Sequence, residues 1–352
     1  VLFGLIIGAV GLVFIDPLAL LLGAKTAATI RSTIDYMKYI LYATPFMTGA
    51  IVMNNQLRMQ GNAFFAMIGL TSGAVVNIVL DPILIYSAGD TLAGGSVTMP
   101  FGAGMGVGGA ALATAVSQIL SFFILFIGVT KSDNIKIHLK NFSPRLYYIK
   151  NIVRGGLPSL GRQGVSSIAV ACLNHAVGIY VQDSIMIDAV QAAMTGVSKI
   201  MNFLTSALTG FGQGFQPVCG FNYGAGKYKR VIRAYTFCVK VSTVVLVAIA
   251  AVGFAFAEPI TQAIAGSSEL AGDIAAVAFR AQLVVFPLMS WVIMCNMMLQ
   301  NIGMTARATI VAMSRQGIAF IPAVFILPLI TGKLFSDPVI GLQLSQSVAD
   351  LL

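Results

Sequence analysis

Charge is what this sequence has least of. Only 9% of its 352 residues are Asp, Glu, Lys or Arg, against about 25% in an ordinary soluble domain. So few charges cannot coat a water-facing surface, which excludes a soluble enzyme or binding module. Acidic groups are scarcer than basic ones, 12 against 21. The four cysteines (Cys172, Cys219, Cys238, Cys295) form no CxxC pair, so neither a disulfide framework nor a zinc knuckle is supported. Of the two histidines, His138 falls in the basic stretch 131–154 and reads as solvated, and His175 falls towards the outer end of an apolar run; neither suggests catalysis. What is abundant is apolar: 57% of residues, a mean hydropathy of +0.89, and 36 glycines, a residue that membrane helices tolerate better than soluble ones.

Ten apolar runs follow one another: 1–24, 39–56, 62–86, 106–130, 156–181, 189–216, 234–257, 275–299, 308–330 and 338–352. A bilayer core needs about 20 apolar residues per helix, and these runs lack the alternation of membrane strands. The expected fold is an all-α polytopic membrane protein with about ten helices. Within the first run, Asp16-Pro17 reads as an N-cap and first helical residue, opening a short helix that ends near Gly23. The basic residues set orientation. Loop 131–154 carries Lys131, Lys136, Lys140, Arg145, Lys150 and Arg154, and alternation puts Arg58, Lys227, Lys229, Arg230, Arg233 and Arg307 on the same, cytoplasmic side. Loop 25–38, with Lys25, Arg31 and Lys38, is the exception. A charge distributed this way reports topology and calls for no nucleic-acid partner.

The chain repeats itself at an offset of 242: AVGLVFIDP at 9–17 answers AVGFAFAEP at 251–259. Pro45, Asn54, Gly61, Ala66 and Ser72 meet Pro287, Asn296, Gly303, Ala308 and Ser314. After a loop shortened by ten, Val107, Gly109 and Val116 face Val339, Gly341 and Val348. The repeat predicts two helix bundles, 1–140 and 141–352, related by a pseudo-two-fold axis along the membrane normal. The second repeat begins near Gly155, so the first is expected to lack about 88 residues, including two helices. A chain without them is not expected to transport.

Several motifs resemble the multidrug and toxic compound extrusion (MATE) transporters. They are Gln56-Leu57-Arg58-Met59-Gln60-Gly61-Asn62 continuing to Asn77-Ile78-Val79-Leu80-Asp81-Pro82, the stretch Gly106 to Thr114, and Gly212-Gln213-Gly214-Phe215-Gln216-Pro217 followed by Gly220 to Ala225. The resemblance implies two six-helix bundles, the first truncated here. It implies export of amphipathic organic cations against a Na+ or H+ gradient by alternating access, with no cofactor beyond the coupling ion. The expected setting is the inner membrane of a bacterium, crossed many times by a monomer. The runner-up is a lipid-linked oligosaccharide flippase of related fold, for which Arg162, Lys199 and Arg315 would supply a basic cavity. No nucleophile–base pair or metal cluster stands at membrane depth, so an enzyme is not expected.

An ionisable group inside a bilayer costs at least a few kcal/mol and is a functional candidate by default. Asp81 is the foremost, with Asn77 four residues away on the same helix face and Gly73 a turn earlier. Carboxylate and amide oxygens suit a hard cation, Na+ included, and a carboxylate alone carries a proton. The alternative is an N-cap for a turn opened by Pro82. The resemblance adds Thr114 to this cation site, together with a first-helix Asp outside this sequence. Asp16 and Glu258, each before a proline, read as caps. In the second bundle Gln163, Met194, Lys199 and Asn202 are the candidates for a substrate cavity, Met194 belonging to a methionine set (Met201, Met294, Met297, Met298) suited to adaptable packing. Lys199 could equally serve a structural ion pair, and methionine is ordinary in lipid-facing helices. Some members of the family carry a carboxylate where this chain has Ser166, which shifts the expected coupling to Asp81.

Overall fold

Each apolar run falls on helix in a computed structural model, which describes residues 1–22, 26–92, 97–131, 145–181, 183–265, 268–335 and 337–352. The expected helix end at Gly23, Lys25, and the basic residues Lys136 and Lys140 with His138 lie outside the described residues. The chain is an all-α polytopic membrane fold. It divides into two units, Val1–Phe142 and Ser143–Leu352.

The N-terminal unit holds α1 (Leu2–Val13), α2 (Ile15–Leu21), α3 (Ala27–Met59), α4 (Ala63–Ile85) and α5 (Gly106–Lys131). Between α4 and α5 lies a two-residue antiparallel pair, β1 (Thr91–Leu92) with β2 (Val97–Thr98). Helix α3 starts twelve residues before its apolar run because Thr26 and Thr29 form a reciprocal capping box (3.2 and 3.0 Å), which satisfies two otherwise orphan donors. Most of the expected loop 25–38 is therefore helix. Pro45 inside α3 has no N–H to give the Leu41 carbonyl, and Gly8 of α1 packs against that oxygen, where a Cβ would stand 2.8 Å away. The core gathers Ala50, Met53, Leu57, Ala66, Leu125 and Val129, with Phe122 edge-on to Phe46 at 5.3 Å.

The C-terminal unit comprises α6 (Leu146–Tyr180), α7 (Ser184–Gly224), α8 (Tyr228–Ala255), α9 (Ala257–Ala265) and α10 (Glu269–Val285). A 3-10 turn, Phe286–Leu288, leads into α11 (Met289–Asn301), followed by α12 (Thr305–Met313), a π turn at Ser314–Ile318, α13 (Phe320–Phe335) and α14 (Pro338–Leu351). The gap between the apolar runs 189–216 and 234–257 shrinks to a turn at Ala225–Lys227, with Gly226 at φ +69°, because α7 continues through Pro217. Helices α4, α5, α8 and the α10–α11 span are long and apolar enough to cross a membrane, and the α1–α2 pair, bent by 82°, makes a fifth such span. Helices α3, α6 and α7 exceed the required length (33, 35 and 41 residues) but carry more polar groups.

The two units repeat one another in atomic detail. Asn54 donates to the Ala66 carbonyl (2.8 Å) and Asn296 to the Ala308 carbonyl (2.7 Å), each bridging a turn whose glycine has positive φ, Gly61 at +84° and Gly303 at +80°. Thr48 donates to the Pro45 carbonyl as Ser290 does to that of Pro287 (3.0 and 2.9 Å). The breaks at Phe14 and Phe256 share φ/ψ (−106°/28° and −104°/22°). The register slips once. Gly109 lies against Leu84 and Ile85, and Gly341 against Leu327 and Pro328, an offset of 243 rather than 242 on the partner helix. The π turn at Ser314–Ile318 supplies the extra residue. Asn54 is buried, so Asn54→Leu should cost about 1–3 kcal/mol, read as a lowered melting temperature of the detergent-solubilised protein. An unchanged melting temperature would show that the bridge contributes nothing.

Candidate cation and substrate sites

Helix α4 runs unbroken through Asp81, with Pro82 inside it. Asp81 is thus a side chain one turn from the C-terminal end of α4, not the cap of a new turn. It is half-buried, and the Asn77 amide donates to its Oδ1 at 3.2 Å. Pro82 withholds its N–H from the Ile78 carbonyl, which adds a main-chain oxygen in the same turn. Small residues bring α5 close. A Cβ on Gly73 would lie 3.0 Å from the Ser117 carbonyl, and one on Gly109 would lie 2.6 Å from the Leu84 carbonyl carbon. In that antiparallel register Thr114 stands at the level between Asn77 and Asp81. Its hydroxyl donates to the Ala110 carbonyl (3.0 Å), leaving oxygen lone pairs as its remaining capacity. Carboxylate, amide, hydroxyl and carbonyl oxygens with one formal charge suit a monovalent hard cation or a proton. No group of three His, Cys, Asp or Glu occurs among the described residues, so a multivalent ion would be poorly neutralised.

The second-unit candidates separate. Lys199 and Asn202 are exposed, three apart on one face of α7, and Asn202 accepts the Ser206 hydroxyl on its carbonyl (2.7 Å). Gln163 is exposed on α6. Met194 points elsewhere: five residues before Lys199, it lies about 140° around the helix and is packed in the core with Val190, Val197 and Phe279 at 4% exposure. It lines no open surface here. No hydrogen bond or ion pair joins Gln163, Lys199 and Asn202 among the described residues. The side chain of Arg162 lies outside the described set.

Asp16 and Glu258 do not cap. Helices α2 and α9 begin before them, at Ile15 and Ala257, leaving each acid in a first turn, where it complements the helix dipole. Glu258 also pairs with Arg280 (3.0 Å), whose guanidinium lies 5.6 Å from the Phe254 ring. A second ion pair was not anticipated from the sequence: Arg315 of the π turn with Asp350 of α14, Nε to Oδ1 at 2.8 Å. Gln346 donates to the same oxygen (2.8 Å). The available signal was an amide four residues before a carboxylate, the spacing of Asn77 and Asp81.

The MatE family model matches residues 1–83 and 163–325. The multidrug export protein MepA of Staphylococcus aureus (strain bovine RF122 / ET3-1) is 28% identical over 335 residues, 94% of this chain and 68% of that protein. Among solved structures, an outward-facing multidrug resistance MATE family transporter of the MOP superfamily aligns at a TM-score of 0.85 with 26% identity, over 99% of this chain and 73% of its own. A MOP superfamily transporter from Pyrococcus furiosus aligns at 0.84 with 26% identity, over 99% and 74%. With a family model that spans both units and the same helix order throughout, the chain belongs to the MATE family of membrane transporters and is not an enzyme.

Proposed function

We propose that the protein is a secondary active multidrug exporter of a bacterial inner membrane. As a monomer it carries amphipathic organic cations outward in exchange for Na+ or H+. The observation that carries this reading is the half-buried Asn77–Asp81 pair, an ionisable group placed within a membrane helix. Multidrug export by the MepA relatives supports the substrate class. An ion at Asp81 drives export only if it favours the state that binds drug poorly, because a ligand shifts an equilibrium by its differential affinity alone. Asn77 and Thr114 complete the ion's oxygen shell in this reading, while Gln163, Lys199 and Asn202 offer polar contacts to substrate. The oligosaccharide flippase loses footing, since Arg315 is held by Asp350 rather than facing an anionic head group.

The test is ethidium movement in proteoliposomes of the full-length gene product, under a Na+ gradient and then a proton gradient of equal size. Export under one of them is expected and names the ion. Folded protein that moves ethidium under neither contradicts the proposal, and a labelled lipid-flipping assay then becomes the next experiment.

A further inference from the structure

Three helix–helix turns share one backbone geometry. Gly61, Gly226 and Gly303 have φ of +84°, +69° and +80°. The residues that follow them open α4, α8 and α12 at φ/ψ of −94°/52°, −86°/58° and −82°/58°. Their charge differs. Within seven residues of Gly61 the one basic residue is Arg58, and within seven of Gly303 it is Arg307. The α7–α8 turn carries Lys227, Lys229, Arg230 and Arg233, all exposed. Its two counterparts hold the same backbone with one charge each, so four exceed what the turn requires.

These cations are badly placed for α8 itself. Positive charge in a first turn opposes the helix dipole, and Lys229 and Arg233 repel at four-residue spacing. No Asp or Glu occurs between Asp188 and Glu258. None of the four, nor Lys240 further along α8, enters an ion pair among the described residues. Lys229, Arg233 and Lys240 fall within about 40° of one line down the helix. Val231, Ser242, Leu246 and Gly253, the buried residues of α8, fall on roughly the opposite side, so the line faces out of the unit. Lys240 stands within the apolar span Tyr228–Ala255 yet is exposed. A helical side chain leans towards the N-terminus, which carries the Lys240 amine back towards the turn. Phe237 is exposed beside the line, and exposed Tyr228 lies at its start, edge-on to Tyr223 at 5.4 Å. Cations first, a tyrosine among them and apolar surface beyond repeat the order of a lipid: headgroup, interface, acyl chain. We propose that this face of α8 holds an anionic phospholipid of the adjoining leaflet. Its phosphodiester lies among Lys229, Arg230, Arg233 and Lys240, and an acyl chain runs along Phe237. The external phosphate supplies the counter-charge that the chain itself lacks here. Neither a gradient nor a drug enters this inference, so it stands or falls apart from cation export.

The probes are phosphatidylglycerol and phosphatidylcholine bearing the same fluorescent acyl chain. Each is titrated with the delipidated full-length gene product in an uncharged detergent and followed by anisotropy. A basic residue near an anionic surface contributes about fivefold in affinity, so phosphatidylglycerol is expected to bind at least about tenfold more tightly. In Lys229→Gln/Arg233→Gln/Lys240→Gln that preference should fall below about threefold. Lys131→Gln/Lys150→Gln/Arg154→Gln removes as many charges from another basic stretch and should keep it. Should the first triple variant not fold, Arg233→Gln alone should lower the preference about fivefold. Equal affinities in the unaltered protein, a preference that survives loss of the α8 charges, equal losses in the two triple variants, or an unaltered preference in Arg233→Gln would each overturn the proposal.

Discussion

Asp81→Asn is expected to abolish gradient-driven export while leaving the protein folded. Asparagine has nearly the same shape and still offers Oδ1 to the Asn77 amide, whose bond is 3.2 Å in the native protein. Helix α4 also needs nothing from the charge, since Asp81 caps no turn. What disappears is the one formal negative charge of the Asn77–Asp81–Thr114 set. A membrane-embedded charge and its counter-ion interact by a few kcal/mol, and about 3 kcal/mol is a factor of about 100 in affinity. Ethidium export under the effective gradient should therefore fall to the level of empty liposomes, with the melting temperature unchanged. Full export by a folded Asp81→Asn protein would remove Asp81 from the coupling site.

Gly109→Val should have the largest effect on folding. A Cβ at this position would stand 2.6 Å from the Leu84 carbonyl carbon and 3.1 Å from the Ile85 nitrogen. These are backbone atoms, which no rotamer change can move aside. Helices α4 and α5 would have to separate, and overpacking of this kind costs about 1–3 kcal/mol or more. The separation would also pull Thr114 from the level of Asp81, so stability and ion binding should fall together. Gly341→Val repeats the collision in the other unit, 2.6 Å from the Pro328 Cα. Gly210→Ala is the control: nothing lies within 4 Å of its Cβ position in α7, and removing a mid-helix glycine should be neutral or stabilising by up to about 1 kcal/mol. Melting curves of the three variants check the contrast. A native-like melting temperature for Gly109→Val would mean the α4–α5 contact is looser than described.

Apolar periodicity and length made the helices legible, because lipid demands long apolar segments with every main-chain group bonded internally. Their ends were less so. Helix α3 reaches back to Ala27 through a capping box of two threonines, a local signal that hydropathy does not register. Repeat arithmetic carried further than expected, down to the Asn54 and Asn296 bridges. It also held an unread pairing. Arg280 and Glu258 form an ion pair, and Lys38 and Asp16 occupy the same two positions 242 residues earlier, which places a basic residue in the anomalous segment 25–38. The π turn was beyond reach, since one inserted residue leaves apolar spacing almost unchanged while redirecting Arg315 towards Asp350. In the candidate cation site, Asn77 and Asp81 follow from helix spacing, whereas the Ile78 carbonyl becomes relevant only because α4 continues through Pro82. Met194 is packed in the core, a placement that methionine content does not register, because it says nothing about which way a side chain faces.

The central claim is that ion and drug oppose one another through Asp81, and linkage allows it to be measured without transport. Ion affinity would be determined with and without saturating ethidium, and ethidium affinity with and without saturating ion, in the native protein and in Asp81→Asn. Coupling must be reciprocal. Each ligand is predicted to weaken the other by the same factor, about 5–150-fold for typical coupling energies, and the effect should vanish in the variant. Independent binding of ion and ethidium to the native protein, or coupling that persists without Asp81, would contradict the account.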